Sequence, residues 1–205
     1  MESVMTEKKP YHRENLKRDL FEAGRDFVQK HGHHDLSMRT LAQLVGVSPG
    51  ASYHHFADRR AILLAVAIDG FERLLQAPAG EENEVLSPTE TIKAGASHFV
   101  CFALANPHLI ELMYESELTR PQIDPALHHY QEISHARGVA VIRQFLPDIS
   151  DKEADLRNIT LWTSIYGLVS MINKGIIRPF ENGKATIDDI SDWVLERAAR
   201  STIGD

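Results

Sequence analysis

The chain has 205 residues, of which 43% are hydrophobic, so it is long and apolar enough to bury a core of its own. It contains no run of about 18 apolar residues, the length that spans a bilayer, and residues 1–20 lack the apolar core of a secretory signal. We therefore expect a folded cytoplasmic protein without a membrane partner. The single cysteine, Cys101, excludes an internal disulfide and any zinc site built on several thiolates.

Charge is distributed unevenly along the chain. The net charge is −7, yet residues 8–60 carry ten Lys or Arg against six Asp or Glu, whereas residues 61–205 carry twelve against twenty-one. Six of the eleven histidines also lie in residues 8–60 and add positive charge where they are protonated. A basic segment joined to an acidic one favours a head that faces nucleic acid and a body that does not.

The first third of the chain carries the signals of several short helices. An amphipathic helix over about residues 12–30 is predicted by apolar residues at helical spacing, namely Leu16, Leu20, Ala23 and Phe27. Ser37 can N-cap a second helix, residues 38–45, which Gly46 ends. We expect this helix to turn three apolar residues inward: Leu41, Ala42 and Leu44.

Further helices follow from caps and first-turn prolines. Ser48 and Pro49 fit the cap and first position of a third helix, and Asp58 fits the cap of a longer one. After the polar segment "APAGEENEVLSP" the helices lengthen, and we predict them over about 88–105, 107–117, 125–145, 151–177 and from 187 onward. Because no sustained alternation of period two occurs, the chain is predicted to be all-α with about nine helices. A three-helix helix-turn-helix head, residues 1–60, would precede a larger helical-bundle body, residues 61–205.

The segment "LAQLVGVSPGASYHHF", residues 41–56, has the pattern of a helix-turn-helix. Such a motif needs a small residue where its helices cross, a glycine in the turn and an apolar residue after it, which Ala42, Gly46 and Val47 provide. The second helix presents its N-terminal residues to base edges. That places five residues on the DNA side, Ser48, Gly50, Ala51, His54 and His55, and divides Tyr53 and Phe56 between core and phosphate. An ordinary helical hairpin is the alternative, which the basic head disfavours.

The longer segment "LSMRTLAQLVGVSPGASYHHFADRRAILLA" resembles the signature of TetR-family transcriptional regulators, and the likeness extends over about residues 12–70. It departs at Ser52, where many relatives have an apolar residue. The resemblance implies that residues at nine positions contact phosphates or bases: Ser37, Arg39, Thr40, Ser48, Pro49, Ala51, Tyr53, His54 and Arg59.

Two later segments, "SHFVCFALANPHLIELMY" and "LWTSIYGLVSMINKGI", resemble the C-terminal domain class of this family that has a Trp-His-Gly motif, with Tyr166 in place of the histidine beside Trp162 and Gly167. The resemblance implies an effector pocket, for which we predict His98, Cys101, Phe102, Met113, Tyr114, Trp162 and Tyr166. It also implies that the last two helices pair with a second copy, through Ile165, Leu168, Val169, Ile172, Trp193 and Val194. In both sets the alternative is burial in the core of one subunit.

Together these patterns predict a DNA-binding transcriptional regulator, a homodimer that represses at a pseudo-palindromic operator until a small apolar or amphipathic effector releases it; activation stays an alternative. An all-helical enzyme is disfavoured because no HExxH, GxSxG or phosphate-binding glycine loop occurs. We therefore expect neither a cofactor nor a metal, since "HGHH" at 31–34 suits a helix C-terminus and His98 with Cys101 supplies too few ligands. A helical adaptor whose body binds another protein is a third hypothesis.

Overall fold

A computed structural model describes residues 15–76, 86–178 and 185–204, and within these ranges the chain forms nine α-helices and no strand, which confirms the predicted all-α class. The helices are, in chain order, α1 Leu16–His31, α2 Met38–Val45, α3 Pro49–Tyr53, α4 Arg59–Leu75, α5 Pro88–Ala105, α6 Pro107–Glu115, α7 Pro125–Phe145, α8 Asp151–Asn173 and α9 Ile187–Ile203. None of them combines the length and the apolar composition that a membrane span requires.

The chain divides into two compact units, Met1–Val66 and Ala67–Asp205, so the division falls inside α4. The first unit contains α1, α2, α3 and the beginning of α4. The second contains the rest of α4 and the five helices that follow it.

In the first unit, α1 packs through a face of small and apolar residues spaced four apart, namely Leu16, Leu20, Gly24 and Val28. Ala23 and Phe27, which the sequence pattern assigned to this face, are only half-buried. Gly24 allows close approach, because a Cβ atom there would lie 3.0 Å from Cγ1 of Ile62 on α4. The buried face of α1 is therefore rotated by about one residue from the predicted one.

The prediction that Leu44 faces inward is wrong, since 55% of it is exposed. The buried residues of α2 are Met38, Leu41 and Ala42. A helix of eight residues has a narrow buried face. Leu44 lies three residues after Leu41, beside that face, and its side chain reaches solvent.

In the second unit, α8 packs against α5, α7 and α9. One part of its core brings together Ile92 of α5, Ile142 of α7 and Ala199 of α9. The helix α8 ends at Asn173, four residues before the predicted end, because Gly175 adopts a left-handed conformation with φ 64°.

Candidate nucleic-acid interface

Two short helices of the first unit, α2 and α3, are joined by a tight turn. Gly46 takes the left-handed conformation that ends α2, with φ 77°, and the amide of Val47 donates a hydrogen bond to the carbonyl of Ala42 at 2.9 Å. The Ser48 hydroxyl then accepts a hydrogen bond from the Ala51 amide at 3.3 Å and caps α3. The turn, cap and first-turn proline all lie where the sequence predicts them.

The first turn of α3 is open to solvent. Five residues of the predicted DNA side are exposed, namely Ser48, Pro49, Gly50, Tyr53 and His54, and Ala51 and His55 are half-buried. The two aromatic residues have separate environments, because Phe56 is buried in the core of the unit and Tyr53 is 53% exposed. Tyr53 is therefore the aromatic side chain that is available to a ligand.

Ser52 is completely buried beneath α3, although it is polar. Its hydroxyl donates a hydrogen bond to the Pro49 carbonyl at 2.7 Å, so its polar group is satisfied within the helix. The residue that departs from the family pattern thus fits under α3 without an unpaired polar atom.

The N-terminus of α2 presents a second polar group. Ser37 caps this helix by accepting a hydrogen bond from the Thr40 amide at 3.0 Å, and the hydroxyls of Ser37 and Thr40 lie 2.7 Å apart. Ser37 and Arg39 are exposed and Thr40 is half-buried. The free amides at a helix N-terminus, two hydroxyls and a guanidinium form a group that suits an anion.

Arg59, which the resemblance assigned to DNA contact, is half-buried and bound within the first unit. Its guanidinium donates to the carbonyls of Leu36 and His33, both at 2.6 Å, and to that of His34 at 3.3 Å. These carbonyls immediately precede the cap of α2, so Arg59 ties the loop between α1 and α2 to the start of α4. Sequence reasoning missed this role, because backbone acceptors have no signature in the sequence.

Two short helices joined by a glycine turn, with the N-terminus of the second exposed, make the first unit a helix-turn-helix of the DNA-binding kind. Residues 20–66 match the family model for bacterial regulatory proteins of the tetR family, and residues 92–198 match that for the tetracyclin repressor-like C-terminal domain. The second match alone covers just over half of the chain. The chain belongs to the TetR family of transcriptional regulators, a family of regulators and not of enzymes.

Curated relatives match over little more than a third of the chain. The HTH-type transcriptional regulator UidR of Escherichia coli strain K12 is 29% identical over 75 residues, which are 37% of this chain and 36% of UidR. The HTH-type transcriptional repressor AcnR of Corynebacterium efficiens is 32% identical over 74 residues, 36% of this chain and 38% of AcnR. The matches therefore span little more than a third of these relatives.

Solved structures resemble the fold over nearly the whole length. A protein of unknown function from Rhodococcus sp. RHA1 has a TM-score of 0.75 and 29% identity, covering 96% of this chain and 98% of that one. A TetR-family transcriptional regulator from Haemophilus influenzae has a TM-score of 0.61 and 20% identity, covering 92% of this chain and 96% of that one. The second similarity concerns the fold alone.

In the second unit the structure brings together part of the predicted effector pocket. The rings of Tyr114, Trp162 and Tyr166 pack against one another with centroids 5.4–5.5 Å apart, and Phe99 joins them at 4.7 Å from Trp162. Burial raises the pKa of the Tyr114 phenol well above its ordinary value, so this hydroxyl stays protonated.

The remaining predicted pocket residues take no part in the ring contacts just given. Met113 is fully buried. His98 is hydrogen-bonded through Nε2 to the Leu74 carbonyl at 3.1 Å, and Phe102 lies under the Arg73 guanidinium at 5.6 Å. Cys101 is exposed and does not belong to the buried face of α5, which consists of Ile92, Ala96, Phe99, Val100 and Ala103.

The predicted dimer residues divide into two groups. Ile165, Leu168 and Val169 are buried inside the second unit at 5% exposure or less, which matches the alternative of burial in the core of one subunit. Ile172 and Val194 are half-buried, and Trp193 is 63% exposed. The exposed apolar side chains of α8 are different ones, Leu156, Ile159 and Met171. Apolar residues occupy both sides of α8, and the sequence alone does not distinguish them.

Proposed function

We propose that the chain is a homodimeric repressor that binds a pseudo-palindromic operator through α2 and α3 and is released from it by a small-molecule effector. The observation that carries the proposal is the helix-turn-helix of the first unit, capped at both helices and exposed at the first turn of α3. The repressor assignment draws support from AcnR, which is described as a transcriptional repressor.

The DNA contacts would divide between phosphates and bases. Ser37, Arg39 and Thr40 stand at the N-terminus of α2, where hydroxyls, amides and a guanidinium suit phosphate oxygens. Small residues at Gly50 and Ala51 let α3 approach base edges, with His54 within the same turn. The residues proposed to touch DNA are Ser37, Arg39, Thr40, Ser48, Pro49, Gly50, Ala51, Tyr53, His54 and His55.

Two-fold pairing follows from the small size of α3. A recognition helix of five residues reads few base pairs, so a second copy about 34–36 Å away, one turn of DNA along, would supply the specificity. The exposed face of α8 suits this pairing, because Leu156, Ile159 and Met171 flank Thr163 and Gly167 at helical spacing. A self-complementary face of this kind gives a closed dimer.

The second unit would hold the effector. Effector binding would favour a distance between the two helix-turn-helix units of the dimer that does not fit the operator, and the DNA would then be released. A coupling free energy of about 1–3 kcal/mol between effector binding and DNA binding suffices for a useful switch. The assignment to the Trp-His-Gly class of C-terminal domains and the cytoplasmic location are part of the same proposal.

The DNA arm is tested by selecting bound sequences from random duplex DNA. We expect the enriched sequence to have two-fold symmetry and the Tyr53→Ala variant to bind it at least about tenfold more weakly, as for the loss of about 1.4 kcal/mol. His129→Ala, an exposed aromatic residue of α7, is the matched control and should bind like the parent protein. If the protein is folded and the selection enriches no sequence, the proposal is contradicted.

The dimer arm is tested by two matched substitutions. A Cβ atom at Gly167 of α8 or at Gly95 of α5 would meet nothing within 4 Å in the part of the chain that the structure describes, so a side chain can begin at either position without a clash within one subunit. We expect Gly167→Arg to yield monomers in sedimentation-velocity experiments and Gly95→Arg to remain dimeric. Dimers of the same affinity in both variants would contradict the α8 interface.

A further inference from the structure

The segment 33–36, which joins α1 to α2, is held from α4 by one side chain. Nε of Arg59 donates to the Leu36 carbonyl and Nη2 donates to the His33 carbonyl, both at 2.6 Å. Leu36 and His33 are themselves almost fully buried, at 1% and 2% exposure. Two donors of one rigid fork therefore fix two carbonyls that lie three residues apart, immediately before the cap of α2.

Arg59 is fixed in turn by its place at the beginning of α4. The Asp58 carboxylate caps this helix by accepting a hydrogen bond from the Ala61 amide at 2.8 Å. Ile62, on the same turn, is buried in the core of the first unit. The guanidinium thus extends from an ordered helix end to the segment 33–36.

The bond to the Leu36 carbonyl determines where the next amide points. The Leu36–Ser37 peptide bond is trans, and in a planar trans peptide the C=O and N–H groups point in opposite directions. Because the Leu36 carbonyl points at Arg59, the Ser37 N–H points away from it. This amide has no hydrogen-bond partner among the residues that the structure describes, and Ser37 is exposed. The Ser37 N–H is therefore open to a ligand.

The Ser37 amide belongs to the group at the N-terminus of α2 that suits an anion. The Ser37 side chain already accepts from the Thr40 amide, so the amides left without an acceptor within the helix are those of Ser37, Met38 and Arg39. Successive amides at a helix N-terminus bind phosphate best when their N–H groups converge on it. Rotation of the preceding peptide plane would turn the Ser37 N–H away, and the bond from Arg59 opposes that rotation.

We propose that Arg59 is a positioning residue for DNA binding: it orients the Leu36–Ser37 peptide so that the Ser37 amide donates to a phosphate oxygen at the N-terminus of α2. Arg59 acts through this peptide and not as a phosphate ligand. The inference rests on the proposed function, in which α2 contacts the DNA backbone. It gives Arg59 a different role from the direct DNA contact that the sequence resemblance implies.

Two substitutions separate a positioning role from a phosphate contact. Arg59→Met removes both the charge and the donors, whereas Arg59→Lys keeps the charge but presents its donors from one atom, so it does not reproduce the fork. We expect both variants to bind the operator at least about tenfold more weakly than the parent protein, because each dimer loses two oriented hydrogen bonds from amide to phosphate. A lysine would instead replace an arginine that served only as a phosphate-binding cation.

Operator binding is measured by fluorescence anisotropy across a salt series, on the sequence enriched from random DNA and at a temperature at which circular dichroism shows every variant to be folded. A neutral amide releases no counterion, so both Arg59 variants should keep the parent protein's dependence of affinity on salt. Arg39→Gln is the reference for a phosphate-binding cation and should lower that logarithmic slope by about 1.8 for a dimer.

Ile62→Val is the matched control for stability. It removes buried volume from the first turns of α4 and leaves the fork of Arg59 in place. This variant should bind the operator like the parent protein. Weaker binding by the Arg59 variants then reports the lost orientation of the Ser37 amide and not a general loosening of the first unit.

The Ser37 amide also provides a direct readout by nitrogen–proton correlation NMR of the labelled protein. In the parent protein its proton resonance should move downfield when operator is added, because the N–H donates to a charged oxygen. In Arg59→Lys the resonance should stay near its position in the free protein.

Operator binding by Arg59→Lys at the parent's affinity would overturn the proposal, as would a salt slope that falls in Arg59→Met and returns in Arg59→Lys. So would a Ser37 amide resonance that the operator leaves in place in the parent protein. In these three cases the parent protein still binds its operator, and the regulator assignment stands. Absence of sequence-selective binding by the folded parent protein would overturn the proposed function and this inference with it.

Discussion

The crossing of α7 and α8 makes a sharp prediction about stability, because Gly138 of α7 lies directly against Asn158 of α8. A Cβ atom at position 138 would overlap Oδ1 of Asn158 and come within 2.9 Å of its Cγ. Asn158 is buried, and its amide nitrogen donates to Nδ1 of His135 at 3.0 Å and lies 3.3 Å from the His135 carbonyl. Gly138→Ala must therefore displace either the helices or this amide.

The size of the effect follows from three contributions. Displacing a buried, hydrogen-bonded amide costs about 1–3 kcal/mol, and overpacking a helix contact costs about 1–3 kcal/mol more. Replacing a helical glycine by alanine returns about 1 kcal/mol. We expect a net loss of about 1–5 kcal/mol. A loss of about 3 kcal/mol, the middle of this range, lowers the Tm by roughly 6–12 °C at about 2–4 °C per kcal/mol for a chain of this size.

Thermal unfolding followed by circular dichroism and calorimetry measures this loss. Gly95→Ala is the matched control, because a Cβ atom there would meet nothing within 4 Å among the described residues. That variant should gain up to about 1 kcal/mol from helix propensity alone. If Gly138→Ala unfolds at or above the temperature of the parent protein, the packing of α7 on α8 described above is incorrect.

Three further predictions concern Arg59 and Ser37 of the first unit and Glu115 of the second. Arg59→Met should destabilise the first unit by about 1–3 kcal/mol, because it removes the donors to three backbone carbonyls; urea unfolding measures this, and unchanged stability with a smaller salt dependence of DNA binding would instead make Arg59 a phosphate contact. Ser37→Ala should cost about 1 kcal/mol through loss of the α2 cap and accelerate amide exchange at Thr40, and unchanged exchange there would contradict the cap. The pKa of Glu115 is lowered in the folded state, chiefly by the Tyr166 hydroxyl, so its stabilisation is present above its ordinary pKa and is lost as the pH falls through the folded value. The Tm difference between the parent protein and Glu115→Gln should therefore shrink from pH 7 to pH 3, and a constant difference would contradict this linkage.

The helix boundaries could be predicted from sequence where a local signal decides them. Ser37 and Gly46 enclose α2 at the predicted residues, because a serine side chain accepts the free amide and a glycine adopts positive φ. Pro88 and Pro125 begin α5 and α7 as expected for first-turn prolines. The beginning predicted for the first helix at about residue 12 lies outside the described residues.

The orientation of helix faces could not be predicted with equal success. Leu44 and Ile165 are both apolar, yet Leu44 is exposed and Ile165 is buried, because tertiary packing and not composition selects the face. Cys101 follows the buried Val100 and points outward. Periodicity shows which residues share one side of a helix, but it does not show which side packs against another helix.

The candidate sites also differ in how far the sequence predicts them. The residues of α3 could be predicted because the helix-turn-helix is a local motif within sixteen positions. Glu115 and Lys174 are separated by 59 positions and are joined by the packing of α6 on α8, for which the sequence holds no signal. Arg59 bonds to backbone carbonyls, which every residue possesses.

The central claim, that the chain reads DNA through the exposed first turn of α3, is tested most directly by fluorescence anisotropy with DNA from beside its own gene across a salt series. We predict a marked preference over a scrambled duplex, saturation at one or two dimers per site, and a loss of affinity for that site in Tyr53→Ala that His129→Ala does not share. Weak binding to every duplex, with equal salt dependence in both variants and in the parent protein, would contradict the claim.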